Sequence, residues 1–333
     1  MKVKIVGCGL SGITAAILLQ RAGHDVEIFE TRSHIGGNCY DSNLNGVVVH
    51  NYGPHIFHTN DHDVWAFLNQ YTEFKHFKYA PKGITSLGEI SLPYSRSTVQ
   101  ELGRELSSQE IIDVIYRDYS EKQWGVSFDE ISTSIIKRVP VLKDVESPSW
   151  YGDEFYQGIP SKGYTHMMMN MLDGIKVHLG VEASEWKKVR SDHTIFTGKI
   201  DEYFDHQHGH LPYRSLTFEH TVTPNKLQHH AYNYCTKQVP YTRKYDHSYF
   251  LDQHEALTVV TTETPNSYNG TGIPFYPIVF GSGQETYNEK YKELAKREKH
   301  TTFVGRLATY KYLDMWVAIK QTMNTVNHLI TNS

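Results

Sequence analysis

Three glycines and one acid near the start of the chain have the residue types and the spacing that bind a dinucleotide. The glycines are Gly7, Gly9 and Gly12, and Glu30 follows 18 residues after the last of them. Gly7 allows a tight turn, Gly9 lets a pyrophosphate approach the backbone, and Gly12 lets a helix pack closely on a strand. A carboxylate at the position of Glu30 accepts hydrogen bonds from a ribose hydroxyl.

The elements around these glycines are those of a nucleotide-binding fold. A buried strand is predicted for Lys2–Val6, an apolar helix for Ile13–Leu19, and a second strand for Asp25–Phe29. The helix begins inside the glycine run, so its N-terminus faces the phosphates. A fortuitous glycine turn would leave this order of elements unexplained. The pattern therefore predicts dinucleotide binding, but it does not separate NAD from FAD.

The residues directly after Glu30 favour FAD. Arg32 is followed by the pair Gly36-Gly37 and by Asn38. A second pair of glycines at this place fits a backbone that wraps the long, extended FAD molecule. The alternative is that the pair only forms a turn.

Length and composition limit the class of protein. The chain has 333 residues, enough for two or three domains, and a formal net charge of −4. Nothing in this balance indicates nucleic acid as a partner. The three cysteines have no metal-binding spacing and fit a reducing compartment. No run approaches the roughly 20 apolar residues that span a bilayer, so we expect a soluble, cytoplasmic protein with no membrane partner.

Two further patterns carry no site in our interpretation. His206, His208 and His210 alternate, and on a strand their imidazoles would share one face and could bind a metal. No carboxylate or thiolate lies at a matching spacing, so we expect no metal site. Gly281 and Gly283 follow a β-like run, but no helix with an acid beyond it completes a second dinucleotide unit.

The remaining patterns predict an α/β protein with a discontinuous organisation. Helical spacing dominates residues 97–135, an exposed loop follows at Arg138–Gly158, and short β-like runs dominate residues 213–280. Met315–Ile330 predicts a closing amphipathic helix. The predicted parts are a Rossmann-like FAD-binding domain (1–76, 155–212 and 295–333), a small helical insert with a mobile substrate loop (95–154), and an antiparallel β-sheet domain (77–94 and 213–294).

Several distinctive motifs follow the N-terminal fingerprint in order along the chain. They are Gly53-Pro-His55-Ile-Phe-His58-Thr59, Tyr119-Ser-Glu-Lys-Gln-Trp124-Gly125, Ile135-Ile-Lys-Arg138-Val-Pro140, Tyr156-Gln-Gly-Ile-Pro160, Pro240-Tyr-Thr-Arg243, Pro274-Phe-Tyr276-Pro277 and Gly305-Arg306-Leu-Ala-Thr-Tyr-Lys-Tyr312-Leu-Asp314-Met315. With these motifs the chain closely resembles the bacterial UDP-galactopyranose mutases, from its first residue to about residue 330.

The resemblance implies a flavin-dependent isomerase that interconverts UDP-galactopyranose and UDP-galactofuranose with no net redox change. N5 of reduced FAD would attack the anomeric carbon and expel UDP. The sugar ring would then open and reclose through a different hydroxyl before UDP returns. A cofactor that is itself the nucleophile leaves binding, orientation and electrostatics to the protein. An external reductant, NAD(P)H or a cellular reductase, would keep the flavin reduced.

The resemblance also implies roles for individual residues. Arg138 on a mobile loop and Arg243 at a fixed position would hold the leaving diphosphate, because guanidinium groups bind phosphate bidentately. His55 and His58 would lie against the flavin and tune its protonation. The implied substrate-binding residues are Tyr119 and Trp124 at the uridine, Tyr151, Tyr276 and Tyr312 at the phosphates, and Asp314. The implied cofactor-binding residues are Gly7, Gly9, Gly12, Glu30, Arg32, Gly37, Asn38, Arg306 and Tyr312.

Three departures from the family pattern affect details. The helical segment between Tyr94 and Tyr119 is shorter than the one that forms the dimer contact in the bacterial mutases. We therefore expect a monomer, or a dimer built differently, rather than the usual dimer. Tyr79 stands where an Asn is expected close to the sugar, and Ile115 stands where an aromatic residue flanks the uracil. These two changes leave a different nucleotide sugar open as the substrate.

Two other classes of function remain as alternatives. An amine-oxidase-type flavoprotein shares the predicted fold, but it would not need Arg138 and Arg243. A non-catalytic protein that binds a nucleotide sugar would not be expected to keep every anion-facing group.

Overall fold

Strands and helices alternate at the start of the chain and separate into layers further along it. The computed structural model describes residues 1–138, 140–146, 148–152, 154–253 and 255–332. The strands are β1 (Lys2–Val6), β2 (Asp25–Glu30), β3 (Asp41–Leu44), β4 (Val47–His50), β5 (Phe57–Thr59), β6 (Phe74–His76), β7 (Lys82–Thr85), β8 (Gly88–Ser91), β9 (Tyr94–Ser95), β10 (Val141–Leu142), β11 (Tyr156–Pro160), β12 (Lys176–Leu179), β13 (His193–Phe196), β14 (Tyr213–Thr223), β15 (Ala231–Tyr234), β16 (Arg243–Asp246), β17 (Thr258–Ser267), β18 (Tyr276–Pro277) and β19 (Thr301–Phe303). The helices are α1 (Leu10–Arg21), α2 (His62–Leu68), α3 (Arg96–Leu102), α4 (Ser108–Ile111), α5 (Arg117–Trp124), α6 (Thr133–Ile136), α7 (Tyr164–Met171), α8 (Ala183–Trp186), α9 (Ile200–Tyr203), α10 (Gly281–Thr286), α11 (Lys292–Arg297) and α12 (Met315–Thr331).

A five-stranded parallel sheet forms the nucleotide-binding layer, in the order β12-β2-β1-β13-β19. Its central strands are buried because helices cover the sheet. The helices α1, α7 and α12 contribute Ile13, Met168 and Ile319 to the large core cluster under this layer. The predicted Rossmann-like fold is confirmed, and the second strand extends one residue beyond its predicted end, to Glu30.

A seven-stranded sheet forms the second layer, in the order β18-β14-β17-β16-β15-β7-β8. Its neighbours pair antiparallel, except that β15 and β7 are parallel. A parallel pair needs a long connection, and β7 and β15 are joined through the helical insert and the nucleotide-binding layer. The β-like pattern predicted for residues 213–280 corresponds to β14 to β18, of which β14 and β17 are the longest.

The helical insert packs its apolar side chains onto one side of the second sheet. A π-helical turn at Ile112–Tyr116 joins α4 to α5, and Gly125 ends α5 in the left-handed conformation (φ 71°). Ile115 and Trp124 lie in one buried cluster with Leu92 from the sheet side. The predicted helical stretch is thus divided into short helices whose apolar faces share one core.

The predicted loop at Arg138–Gly158 has more regular structure than its composition indicates. Val141–Leu142 pairs with β9, and β11 forms the centre of a three-stranded antiparallel sheet between β5 and β6. The residues Val139, Ser147 and Asp153 of the predicted loop lie outside the described residues. The three-stranded sheet holds the Gly53–Thr59 turn beside the nucleotide-binding layer. In the part of the chain that the structure describes, no helix is long and apolar enough to cross a membrane.

Candidate functional site

The turn from β1 into α1 brings backbone close to backbone and leaves a helix N-terminus open. Gly7 has a φ of 101°, and a Cβ added at Gly12 would lie 2.0 Å from the Gly7 carbonyl oxygen. Helix α1 begins after Gly9, which has no side-chain oxygen to cap the first N–H groups. A Cβ added at Gly9 would meet only the Gly37 Cα, at 3.8 Å. The first turn of α1 can therefore approach an anionic ligand closely.

Glu30 links this turn to the segment that follows β2. One of its carboxylate oxygens accepts the backbone N–H of Cys8 at 2.7 Å, and the other accepts that of Arg32 at 2.9 Å. The Arg32 guanidinium donates to the Asn38 side-chain oxygen at 2.9 Å and lies 4.9 Å from the centre of the Tyr52 ring. The acid, the arginine and the amide thus form one connected wall.

A first cavity of about 640 Å³ runs from this turn to the start of α12. The predicted cofactor-facing residues that line it are Gly7, Gly9, Gly12, Glu30, Arg32, Gly37, Asn38, His55 and Arg306. A Cβ added at Gly37 would lie 3.0 Å from the Gly9 Cα, so two backbone segments approach each other closely in the wall of this cavity. The cavity, the open helix N-terminus and the acid together fit a dinucleotide.

A second cavity of about 620 Å³ lies between the second sheet, α5 and the segment that carries Arg138. The predicted residues that line it are His58, Tyr119, Trp124, Arg138, Tyr151, Arg243, Tyr312 and Asp314. Asp314 also lines the first cavity, and it is the N-cap residue of α12. The two cavities therefore adjoin at the start of this helix.

Arg138 is held by groups from the segment before α12. One guanidinium nitrogen donates to the Asp314 carboxylate, and another donates to the Tyr312 carbonyl at 3.1 Å. The guanidinium carbon lies 4.7 Å from the centre of the Tyr312 ring. About a third of the side chain remains exposed (35%). The ion pair holds Arg138 over the second cavity, where it is accessible to a ligand.

Arg243 is held more rigidly, in a row of polar side chains across the second sheet. Its cross-strand neighbours are Asn233 on β15 and Glu263 on β17. Both Nε and one terminal nitrogen of Arg243 donate to the same oxygen of Glu263, at 3.0 and 2.8 Å. Burial alone would lower the pKa of Arg243, but the Glu263 carboxylate raises it well above its usual value. The guanidinium therefore stays charged inside the cavity wall.

Asn233 and Glu263 were not predicted from the sequence. Each has one buried oxygen with no hydrogen-bond partner among the described residues: Oδ1 of Asn233 and Oε2 of Glu263. The sequence does contain a signal for Glu263. It is an acid in a strand otherwise rich in Thr and Val, and it falls on the face whose alternating residues are buried. Recognising it would have required the strand's register, which the sequence does not define.

Tyrosines line the wall around Arg243 and are fully protonated at neutral pH. Burial raises the pKa of Tyr79, Tyr119 and Tyr151 above the usual value, and Arg243 partly opposes this effect. Neutral phenols are hydrogen-bond donors, so they can bind phosphate oxygens or sugar hydroxyls. Tyr79, noted above as a departure from the family, lines the second cavity directly.

His55 and His58 face different cavities. Burial lowers the pKa of His55 to about 4, and its Nδ1 lies 2.7 Å from the Gly53 carbonyl oxygen. The ring is therefore neutral at pH 7, with the proton on Nδ1 and an acceptor at Nε2. His58 lines the second cavity, stacks on Tyr151 with ring centres 3.7 Å apart, and contacts Glu154 through Nδ1 at 2.8 Å. Of the two histidines, the structure thus places His55 at the dinucleotide cavity and His58 at the second cavity.

Tyr276 and Tyr312 are placed differently from each other. The Tyr276 hydroxyl donates to the Gln123 carbonyl at 3.0 Å, and its ring packs behind Trp124 and Tyr312. Tyr276 lines neither cavity. Tyr312 lines the second cavity, while the neighbouring Leu313 lines the first. The roles of both tyrosines stay predictions.

The expectation of no metal site rests on a strand that carries His206, His208 and His210, with no carboxylate at a matching spacing. The structure differs from this premise. The segment with His206, His208 and His210 is a turn after α9 rather than a strand. Asp201, from α9, places a carboxylate beside two of these imidazoles. The sequence spacing did not indicate this acid, because it precedes the histidines on a separate short helix.

Comparisons with known proteins identify the family to which this geometry belongs. A family model described as UDP-galactopyranose mutase matches residues 114–312, and one described as an NAD(P)-binding Rossmann-like domain matches residues 5–71. The UDP-galactopyranose mutase of Mycoplasma genitalium is 30% identical over 99% of this chain and 95% of its own. The chain belongs to the UDP-galactopyranose mutase family. It is accordingly an isomerase, and its family together with its Rossmann-like domain implies a flavin cofactor.

Another relative differs in its named substrate. The dTDP-fucopyranose mutase of Escherichia coli is 34% identical over 100% of this chain and 99% of its own. Identity alone therefore does not select one nucleotide sugar within the UDP-galactopyranose mutase family.

Solved structures agree on the fold. A reduced UDP-galactopyranose mutase matches with a TM-score of 0.79 at 14% identity, over 100% of this chain and 96% of its own. A putrescine oxidase bound to putrescine matches with a TM-score of 0.56 at 13% identity, over 99% of both chains. At such identities the likeness shows the fold alone, so the amine-oxidase alternative gains no support from it.

Proposed function

We propose that the protein interconverts UDP-galactopyranose and UDP-galactofuranose, with flavin in its reduced form. The observation that carries the proposal is the junction of the two cavities at Asp314, with Arg138 and Arg243 both facing the second cavity. This arrangement suits a reaction in which a group bound in the first cavity meets a sugar whose diphosphate is bound in the second.

The residues of the first cavity would hold FAD. The open N-terminus of α1 and Gly9 would face the pyrophosphate, and Glu30 would accept from a ribose hydroxyl. When bound in its reduced form, the flavin would supply a nucleophilic nitrogen for chemistry at the anomeric carbon without net redox change. His55 would offer its Nε2 as an acceptor toward the ring system, because its pKa of about 4 keeps it neutral.

Arg138 and Arg243 would bind the diphosphate and offset the negative charge that develops as the glycosidic bond breaks. For Arg138 this requires the phosphate to replace the Asp314 carboxylate, whereas Arg243 keeps Glu263 and binds through its remaining N–H groups. Tyr119 and Trp124 would hold the uridine. Tyr151, Tyr276 and Tyr312 would donate hydroxyls to the phosphates, which for Tyr276 requires its hydroxyl to leave the Gln123 carbonyl.

The organisation of the chain belongs to the same proposal. The FAD-binding domain would comprise residues 1–76, 155–212 and 295–333, the helical domain 95–154, and the sheet domain 77–94 and 213–294. The protein would act in the cytoplasm as a monomer, and NAD(P)H or a cellular reductase would supply the electrons. Sedimentation of the flavin-loaded protein measures the assembly state independently of activity.

The deciding experiment combines a spectrum with a turnover assay. The purified protein should show bound flavin in its visible spectrum. After anaerobic reduction with dithionite it should convert UDP-galactofuranose to UDP-galactopyranose, followed by chromatography, while the oxidised protein should not. Equal UDP-sugar binding in both redox states with no turnover in either would instead support a non-catalytic binding protein. Oxygen consumption with an amine would support the oxidase alternative.

A mutase of a different nucleotide sugar is the second candidate. Tyr79 in the second cavity departs from the family pattern near the sugar, and the named substrate of the Escherichia coli relative is a dTDP-sugar. The same anaerobic assay with dTDP-fucofuranose tests it. Conversion of the dTDP-sugar at a higher kcat/KM than the UDP-sugar would replace the first candidate and leave the roles of Arg138 and Arg243 unchanged.

A further inference from the structure

The turn between α9 and β14 folds two imidazoles against each other. Asp205 and His206 both adopt positive φ, 49° and 54°, so the chain reverses directly after the helix. This reversal brings the rings of His206 and His210 to a centre-to-centre distance of 3.9 Å with an interplanar angle of 36°. The two rings therefore lie on the same side of the turn.

A buried carboxylate lies beside these rings. Asp201 is 1% exposed, and its Oδ2 lies 3.2 Å from Nδ1 of His206. One donor atom from each of Asp201, His206 and His210 falls within 4.8 Å of the others. The Tyr213 hydroxyl donates to the second oxygen of Asp201 at 2.7 Å, and the Leu211 N–H donates to Oδ2 at 3.1 Å. These two bonds fix the carboxylate in place, as partners of metal-ligating carboxylates do.

We propose that Asp201, His206 and His210 form a site for Zn²⁺. Bonds of about 2.0–2.2 Å to imidazole and carboxylate in a tetrahedral arrangement put neighbouring donor atoms roughly 3.3 Å apart. The Asp201–His206 pair already has this separation. His210 is exposed and needs only a side-chain movement to close the third contact. Two imidazoles favour zinc over calcium or magnesium, and water completes the coordination.

The proposed site lies behind one wall of the flavin cavity. Lys199, Glu202 and Tyr203 line that cavity, whereas Asp201 between them points away from it into the turn. Zinc bound to Asp201, His206 and His210 ties α9 to the turn that leads into β14. It stabilises the folded protein and this wall without contact to flavin or nucleotide sugar. The proposal therefore does not depend on which sugar the enzyme uses.

Zinc binding is tested on the full chain without a histidine tag, stripped of metal with a chelator and titrated with ZnCl₂. Equilibrium dialysis followed by metal analysis is expected to give one tight equivalent per chain. The His210→Ala variant is expected to bind at least tenfold more weakly, and this exposed position carries little risk to folding. His208→Ala is the matched control, because His208 lies in the same turn but packs on Tyr291 outside the cluster. It is expected to bind zinc like the unmodified protein.

Two further measurements separate a defined site from adsorption to the 20 histidines of the chain. Co²⁺ should give visible absorption bands in the unmodified protein and in His208→Ala, and these bands should be lost in His206→Ala and His210→Ala. One equivalent of Zn²⁺ should raise the thermal midpoint of the unmodified protein and leave that of His210→Ala unchanged. Equal zinc affinity in His206→Ala, His210→Ala and the unmodified protein would overturn the proposal, as would the lack of a saturable site below about 100 μM.

Discussion

Arg138 and Arg243 are anchored by partners of different strength. Arg138 is partly exposed and pairs with the Asp314 carboxylate, and an ion pair of this kind contributes about 1 kcal/mol or less. Arg243 donates twice to the nearly buried Glu263, at 3.0 and 2.8 Å. A diphosphate can therefore displace the partner of Arg138 at little cost, whereas Arg243 stays in place. This difference fits one mobile and one fixed cation around the same anion.

At the residue scale, Arg138→Ala and Arg243→Ala are each expected to lower kcat by about 100-fold or more, because each removes a charged donor from the leaving diphosphate. Lysine at either position should restore only part of the rate, since it lacks the planar fork. Turnover of the reduced enzyme at saturating substrate gives the measurement. Arg297→Ala, at an exposed position on α11, is the control and should keep normal turnover. Near-normal turnover in both active-site variants would remove the leaving-group role.

Residues of the dinucleotide site could be predicted because their function is local in sequence. Gly7, Gly9 and Gly12 act within one turn, and Glu30 follows at the end of the next strand. Glu263 could not be predicted, because its role comes from pairing across two neighbouring strands with Arg243, which lies 20 residues earlier in the sequence. The separation of His55 and His58 into two cavities also depends on where β5 lies in its sheet.

At the element scale, two glycines of the β1–α1 turn are needed for different reasons. Gly12 allows close packing of the backbone, and Gly9 leaves space for a ligand. The backbone at Gly9 has angles that alanine accepts (φ −88°). In Gly9→Ala the added Cβ would lie 3.8 Å from the Gly37 Cα, which is an ordinary van der Waals contact. This variant should fold normally and bind FAD at least about tenfold more weakly. In Gly12→Ala the Cβ would lie 2.0 Å from the Gly7 carbonyl oxygen, so this variant should be destabilised by about 1–3 kcal/mol.

Urea unfolding and FAD titration of the flavin-free proteins distinguish the two effects. Each glycine variant serves as the control of the other, since both add one methyl group to the same turn. Equal stability and equal FAD affinity in the two variants would show that the turn is more open than its geometry indicates.

Elements could be predicted where periodicity persisted over a whole helix or strand. The first strand and the closing helix were predicted to within one residue, because their apolar residues recur at strand or helix spacing along the whole element. The three-stranded sheet was not predicted, because Phe57–Thr59 and Phe74–His76 have only three residues each. A strand of three residues is too short to show an alternating apolar pattern. β5 and β6 are recognised as strands because they pair with β11.

At the scale of the whole molecule, several imidazoles are held uncharged between the two layers. Burial lowers the pKa of His50 to about 3, and that of His55 and His230 to about 4. His50 accepts the backbone N–H of His55 at 3.1 Å, and His230 accepts that of Ala80 at 3.2 Å. Their acceptor nitrogens must therefore be unprotonated in the folded protein.

This burial predicts that the protein loses stability in mild acid. In the unfolded chain each imidazole takes up a proton near pH 6.5, but in the folded protein it does so only near pH 3 to 4. The unfolded state thus binds more protons between these values, and stability that is complete above pH 6.5 declines as the pH falls toward 4. At pH 5 each of the three groups removes about 2 kcal/mol from the free energy of unfolding. Losses of this size are a large part of the total stability of a domain.

Urea midpoints of the flavin-free protein, measured with a chelator between pH 7.5 and 5, should therefore begin to fall near pH 6.5. Carboxylates in ion pairs, such as Glu101 with Lys82, act at lower pH because their pKa values lie below the ordinary range. His230→Gln keeps a side-chain acceptor for the Ala80 N–H and should make the decline shallower by about 2 kcal/mol at pH 5, since one buried imidazole is removed. His210→Ala, at an exposed imidazole, should leave the decline unchanged. A constant midpoint down to pH 5 would mean that these imidazoles are solvated, and that the layers around the Gly53–His55 turn open more readily than their packing indicates.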